Sequence, residues 1–345
     1  MSKQILVGGV PVGGGAPVTI QSMTNTRTDD VEATAAQILR LEAAGCQIIR
    51  CAVPDLAAAR AVSAIKARIH IPLVVDIHFD YRLALEAAAA GADAVRINPG
   101  NIGGEDRVEA VARACMDRGI PIRIGVNGGS LEKPLLAKYG GPTPEALVES
   151  AFGHIALLER YGFRDICVSL KTSSVPNTIA AYRLMAERSD YPLHVGLTEA
   201  GTPRMGVLKS AVGIGGLLAL GIGDTIRVSL SADPIQEVYA ARDILKVVGL
   251  RHEGAELVSC PTCGRTRIDL IGLAEEVEER LKTVTKPITV AVMGCVVNGP
   301  GEARSADVGI AGGDGEGLLF RHGEIVKKVP QDQLVDELFR LIDTI

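Results

Sequence analysis

The chain contains no tryptophan, and only six tyrosines and five phenylalanines occur in its 345 residues. A core without aromatic bulk must be filled by small and branched aliphatic side chains, which suits closely packed parallel strands and helices. No apolar run reaches the length that crosses a bilayer, and the opening MSKQILVGG lacks the pattern of a secretory leader. Positive charge is not in excess: 36 basic and 41 acidic residues give a net charge of −5, so nothing general points to a nucleic acid or a membrane as partner. Seven cysteines, an odd number with no leader ahead of them, argue for a reducing cytoplasm rather than a disulfide framework.

What is present is a repeated pattern. Up to about residue 250 an Ala-rich helical stretch, a Gly or Pro break and a short β-branched run recur. Strand-like runs fall at 18–22, 48–53, 73–77, 94–98, 122–126, 166–170, 193–197 and 225–230. Helical stretches include 31–44, 56–67, 81–90, 106–118, 144–161 and 177–188. This alternation predicts a TIM (β/α)8 barrel over residues 1–250, with an open doubly wound sheet as the alternative. The glycine-rich QILVGGVPVGGG reads as a small hairpin capping the barrel. It is not a phosphate loop, because no Gly-Lys-Ser/Thr follows and a strand comes next. The pattern stops near Gly254, and residues 254–345 read as a small α+β domain. It holds a CPTCG turn, a helix at 268–284, strands at 288–293 and 308–311, a hairpin around Gly323 and a helix at 331–342.

Barrel enzymes carry their chemistry at the C-terminal ends of the strands. Here those ends bear Arg50, Arg96, Arg123, Lys171 and Arg227. An apolar strand tolerates an arginine only where the guanidinium has a partner, since burying it unpaired is costly. Five cations at one mouth repel one another unless an anion lies between them, and Arg binds phosphate through a planar fork. The expected ligand is therefore a phosphate compound with at least two negative charges. Asp76, His78, Asn98, Asn127, Thr198, Glu199 and Ser229 lie at the same strand ends. A buried ion pair is the ordinary role for some of them, Asp76 first.

The second domain has a different signature. Cys260 and Cys263 form a Cys-x-x-Cys turn, and Cys295 and Glu302 follow inside GCVVNGPGEA. Three thiolates and a carboxylate suit an iron–sulfur cluster with one non-thiolate ligand. A zinc knuckle and a redox pair remain alternatives. Structural zinc usually needs four Cys or His ligands, and only His252 and His322 are near. Cys46, Cys51, Cys115 and Cys167 lack partner spacing and read as small buried hydrophobes.

Across nearly its whole length the chain resembles the bacterial 4-hydroxy-3-methylbut-2-enyl diphosphate synthase family. The resemblance is carried by VTIQSMTNT, RCAVP, DIHFD, RINPGN, RIGVN, SLKTS, GLTEAGT, CPTCGRT and GCVVNGPGEA. It implies an iron–sulfur oxidoreductase of the methylerythritol phosphate route to isoprenoids, in a two-domain form without the insertion of plant-type members. It implies a [4Fe–4S] cluster on Cys260, Cys263, Cys295 and Glu302. The implied substrate is 2-C-methyl-D-erythritol 2,4-cyclodiphosphate, held by Arg50, Arg96, Arg123, Asn127, Lys171, Thr198, Arg227 and Ser229. Glu302 would serve as the displaceable ligand, Glu199 as the proton donor, and Asp76 and His78 as further catalytic candidates. Flavodoxin or ferredoxin is the implied electron donor, and a head-to-tail homodimer the implied assembly. Two other readings compete: a non-redox barrel transferase like the pterin-binding synthases, and an anion-binding barrel protein with a structural zinc domain.

Overall fold

The computed structural model describes residues 1–98, 101–295 and 303–345. The chain divides into two compact units, Met1–Arg251 and His252–Ile345.

In the first unit β1 (Ile5–Val7) and β2 (Val10–Val12) form an antiparallel hairpin. Eight parallel strands follow: β3 (Thr19–Met23), β4 (Ile48–Ala52), β5 (Leu73–Asp76), β6 (Ala94–Ile97), β7 (Ile122–Asn127), β8 (Ile166–Lys171), β9 (His194–Gly196) and β10 (Thr225–Arg227). Their spatial order is 8-7-6-5-4-3-10-9. The ends of this series meet: Val168 bridges Leu193 in parallel, and the Val168 N–H donates to the Pro192 carbonyl at 2.9 Å. The sheet therefore returns on itself as a barrel, which rules out the open sheet.

Connecting helices are α1 (Val31–Ala43), α2 (Leu56–Lys66), α3 (Tyr81–Ala89), α4 (Glu105–Met116), α5 (Lys133–Tyr139), α6 (Pro144–Arg160), α7 (Val175–Arg188), α8 (Pro203–Ser210), α9 (Gly216–Ala219) and α10 (Pro234–Val247). Asp30, Asp55, Asp80, Thr143, Ser174 and Asp233 cap helix N-termini with side-chain oxygens. Helices α5, α8, α9 and α10 are absent from the periodicity reading. Helix α5 spans only seven residues, and α8 continues through a π-helical turn at Ala211–Gly215 into α9, which shifts the helical period midway. Ahead of α10 the strand-like run extends past β10, which ends at Arg227.

Alternation along the strands separates two environments. Ile20, Ile49, Val75, Val95, Ile124, Val168, Val195 and Ile226 belong to the core shared with the helices. The residues between them face the lumen, where polar groups dominate. The lower end of the lumen is apolar: Ile48, Val74, Ala94 and Cys167 pack against Ile5, Val7 and Val12 of the hairpin. The hairpin is thus a plug, as its sequence suggests.

The second unit is a mixed sheet in the order β11 (Glu256–Ser259), β12 (Thr289–Met293), β13 (Val308–Gly312), β14 (Glu316–Arg321), β15 (Glu324–Pro330). The first three strands are parallel and the rest antiparallel. Helices α11 (Leu270–Leu281) and α12 (Leu334–Asp343) contribute to its core. Strand β11 escapes the sequence reading because ELVS is short, lies at the sheet edge and stays largely exposed.

Candidate active site

Every cation expected at the strand ends is found in the barrel's interior layer. Arg50, Arg96 and Lys171 are each 7% exposed and Arg123 5%. Asp76 lies among them. Its Oδ1 accepts from Arg96 Nη1 at 3.1 Å, and its Oδ2 lies 3.6 Å from Arg50 Nε and 3.7 Å from His78 Nε2. Burial alone would push the Asp76 carboxyl up, but Arg50, Arg96 and His78 together outweigh it and hold the group at about 2. Asp76 is therefore an ionised strut.

The remaining partners are weak or few. Arg50 donates from Nε and Nη2 to the thioether of Met23, at 3.2 and 2.9 Å, which is a poor acceptor for a guanidinium. Arg123 gives Nη1 to Gln21 Oε1 at 2.5 Å, while its Nε and Nη2 have no partner among the described residues. Arg227 reaches Glu237 of α10 only at 3.8 Å, and its Nε is likewise unpartnered. Burial pushes the Arg50 and Lys171 pKa values well below their ordinary ranges, and the neighbouring cations push them further. Burial, with Arg96 and Arg227 adding to it, brings Arg123 to about 10. Such a ring is short of negative charge, and a bound polyanion would relieve it.

Asn127 ends β7, and Asn98, Thr198, Glu199 and Ser229 stand just beyond their strands on the βα loops. Glu199 is exposed and adopts φ 54°, a left-handed conformation uncommon for a non-glycine residue. His78 is half-exposed beside Phe79, a residue 74% exposed.

Sequence reading missed several contributors. A Cβ on Gly125 would lie 2.2 Å from Arg96 Nε, so the missing side chain makes room for that guanidinium. A Cβ on Gly196 would meet the Arg227 carbonyl at 2.7 Å and Lys171 Nζ at 3.4 Å. Gln21, Met23 and the counter-charge Glu237 were also overlooked. Their only signal was inward register on a strand or, for Glu237, burial on a helix.

In the second unit Cys260 directly follows β11, and Gly294–Cys295 directly follow its parallel neighbour β12. The two loops are tied together: Arg267 N–H donates to the Gly294 carbonyl at 3.1 Å, and Gly294 N–H donates to Cys260 Sγ at 3.2 Å. The Cys263 thiol is drawn below its usual pKa, chiefly by hydrogen bonding from the Arg265 backbone and side chain. Donors aimed at sulfur favour thiolates, and thiolates are the ligands of iron–sulfur groups, so the donor chemistry suits one, but the structure does not bring Cys260, Cys263 and Cys295 together as one set. Among the described residues no three Cys, His, Asp or Glu side chains lie close enough together to hold a metal ion, and Glu302 lies outside the described residues. Cys46, Cys51, Cys115 and Cys167 are buried, and burial raises their thiols to about 11 or 12.

A (β/α)8 barrel with a ring of cations in its lumen, followed by an α+β unit with cysteines on adjoining loops, defines a two-domain barrel protein whose lumen is short of negative charge. The chain belongs to the GcpE family. The GcpE TIM-barrel domain matches residues 2–242, and the GcpE protein C-terminal domain matches residues 256–344. The chain is 61% identical over 344 residues to the 4-hydroxy-3-methylbut-2-en-1-yl diphosphate synthase (flavodoxin) of Clostridium perfringens, covering 100% of this chain and 99% of the relative. It is 62% identical to the protein of the same name from Geobacter sulfurreducens, covering 100% and 98%. Among solved structures it resembles dihydropteroate synthase from Stenotrophomonas maltophilia, with a TM-score of 0.53 and 18% identity over 71% of this chain and 97% of that one. The Xanthomonas albilineans enzyme gives 0.51 and 20% over 71% and 97%. At such identity the likeness concerns the barrel fold alone. No helix among the described residues is long and apolar enough to cross a membrane.

Proposed function

We propose that the chain is a cytoplasmic reductase that converts 2-C-methyl-D-erythritol 2,4-cyclodiphosphate to 4-hydroxy-3-methylbut-2-enyl diphosphate and water, with flavodoxin as electron donor. The observation that carries this reading is the end-to-end correspondence with enzymes of that name, at 61–62% identity, which spans both the cationic lumen and the cysteine loops.

The reaction consumes two electrons and two protons. The bond between the tertiary ring carbon and the diphosphate oxygen breaks, and the oxygen leaves with the bonding pair. The two incoming electrons stay with the carbon skeleton and form the double bond as the neighbouring hydroxyl departs. One proton completes the water, and the other neutralises the released diphosphate oxygen. A [4Fe–4S] group held by Cys260, Cys263, Cys295 and Glu302 would supply electrons singly and an iron position open to an oxygen ligand.

The chain's own residues do the rest. Arg50, Arg96, Arg123, Lys171 and Arg227 bind the diphosphate and stabilise the charge that grows on its departing oxygen. Asn127, Thr198 and Ser229 hydrogen-bond the substrate at the barrel mouth. Glu199 gives the proton that turns the departing hydroxide into water. Asp76 keeps Arg50 and Arg96 aimed, and His78 supports Asp76 from the solvent side. The working form in this reading is a head-to-tail homodimer, in which the cysteine unit of one chain serves the barrel of its partner.

The test is anaerobic purification with iron, acid-labile sulfide and zinc measured on one sample, followed by turnover of the cyclodiphosphate with reduced flavodoxin. Brown protein with about four irons and four sulfides per chain, and the allylic diphosphate as product, is the expected result. Colourless protein with one tightly held zinc and no turnover after reconstitution would overturn the reading.

A further inference from the structure

Below the cationic ring the lumen holds a second set of polar groups that the reaction as described does not use. His194 opens β9 with its side chain inward, because Leu193 and Val195 on either side belong to the core shared with the helices. Thr225 is its register neighbour on β10, and Thr19 is the next on β3. Both point inward by the same alternation, since Ile226 and Ile20 lie in the helix-facing core. His194 is 0% exposed, and Thr19 and Thr225 are each 3% exposed.

Despite that burial, neither ring nitrogen of His194 has a hydrogen-bond partner among the described residues, nor does the hydroxyl of Thr19 or Thr225. Arg123 Nε and Nη2 share this condition. The floor of Ile48, Val74, Ala94 and Cys167 offers only the Cys167 thiol, a weak hydrogen-bonding group. Buried polar atoms are almost always satisfied, and where the protein does not supply the partner, ordered water does. Burial first, then the charges of Arg123, Lys171, Arg50 and Arg227, keep the ring unprotonated. A neutral imidazole donates from one nitrogen and accepts at the other. It therefore places an acceptor lone pair below a ring of donors.

We propose that this layer is an internal hydration chamber, in which His194, Thr19 and Thr225 hold ordered water against Arg123 and so fix the guanidinium where it meets the anion. Gln21 alone secures only Nη1, which leaves the tilt of the planar fork undetermined. His194 is then a positioning residue, acting through Arg123. The inference rests on the reading of the cationic ring as the diphosphate site.

The experiment measures the binding of inorganic pyrophosphate to the full chain by calorimetry, and KM and kcat of the holoenzyme. His194→Phe keeps the ring shape and removes both nitrogens. It should weaken pyrophosphate binding about tenfold, with KM rising and kcat falling as well, since Arg123 also meets the departing oxygen. His194→Gln, which restores an acceptor and a donor, should recover binding to within about threefold of wild type. Thr225→Val, isosteric without the hydroxyl, should weaken it about threefold. If His194→Phe binds like wild type, or His194→Gln is as poor as His194→Phe, the chamber has no positioning role. Should His194→Phe fail to fold, an unchanged affinity in Thr225→Val overturns the inference by itself. Wild-type protein that takes up no pyrophosphate would instead refute the reading of the ring.

Discussion

Asp76 shows how one carboxylate can organise a cationic site. It contacts Arg50, Arg96 and His78, and they hold its pKa at about 2 against an ordinary 3.8. A group whose folded pKa is depressed contributes stability above its unfolded pKa, and that stability is lost as the pH falls through the folded value. The Asp76 contribution, about 2 kcal/mol, should therefore be complete above roughly pH 4 and vanish toward pH 2. Asp76→Asn should cost at least about 2 kcal/mol in urea unfolding at neutral pH, since it leaves two buried guanidiniums without their counter-charge. A smaller loss would mean that water already screens the cluster. Gly125 acts in the opposite manner, by having no side chain. Because a Cβ there meets the flexible end of Arg96, Gly125→Ala should displace the guanidinium rather than the strand. Pyrophosphate affinity should drop roughly tenfold, and stability should fall by about 1–2 kcal/mol because the displaced guanidinium loses Asp76. Full affinity would show that Arg96 is not a ligand.

At the scale of elements, the barrel strands are short and the work is done where each hands over to its loop. β9 lasts three residues before Thr198 and Glu199 turn away from the ladder. Glu199 makes that turn at φ 54°, so the backbone there is held in a left-handed conformation. Glu199→Gln preserves the turn and removes the proton, so turnover should fall by roughly two to four orders of magnitude while pyrophosphate binding persists. Turnover close to wild type would transfer the proton-donor role to another group at the mouth. Glu199→Gly should keep stability within about 1 kcal/mol, because glycine occupies the left-handed region freely.

For the molecule as a whole, two measurements address properties that several strands or two chains set together. The first concerns pH. Buried His194 faces Arg123 on β7, Lys171 and Cys167 on β8, Arg50 on β4 and Arg227 on β10, and it stays neutral in the folded state. The unfolded chain binds a proton there below its ordinary value of 6.5, so stability is fully present above that pH and declines as pH falls below it. The decline from this group should approach about 1.4 kcal/mol per pH unit and be absent in His194→Gln. Equal slopes in the two proteins would place a proton on His194 in the fold. The second concerns assembly. If one chain's cysteine unit serves its partner's barrel, Arg227→Ala and Cys295→Ser chains, each inactive alone, should complement when co-expressed. Random pairing leaves one site in four with both parts intact, so activity should recover to about a quarter of wild type. No recovery would confine each active site to one chain.

The sequence by itself determined the barrel, the second domain and the cations of the lumen. Alternation of small apolar runs with Ala-rich helices is periodic, and an arginine in an apolar strand is conspicuous because burial penalises it. The cysteine loops were legible for the same reason, since thiols at turn spacing are chemically distinctive. Only the tertiary structure decided the ring's closure through Val168 and Leu193, the strut formed by Asp76, the space left by Gly125 and the sealed layer around His194. These depend on which residues on different strands share a level in the lumen. That register is set by packing between strands far apart in the chain, and no local pattern encodes it.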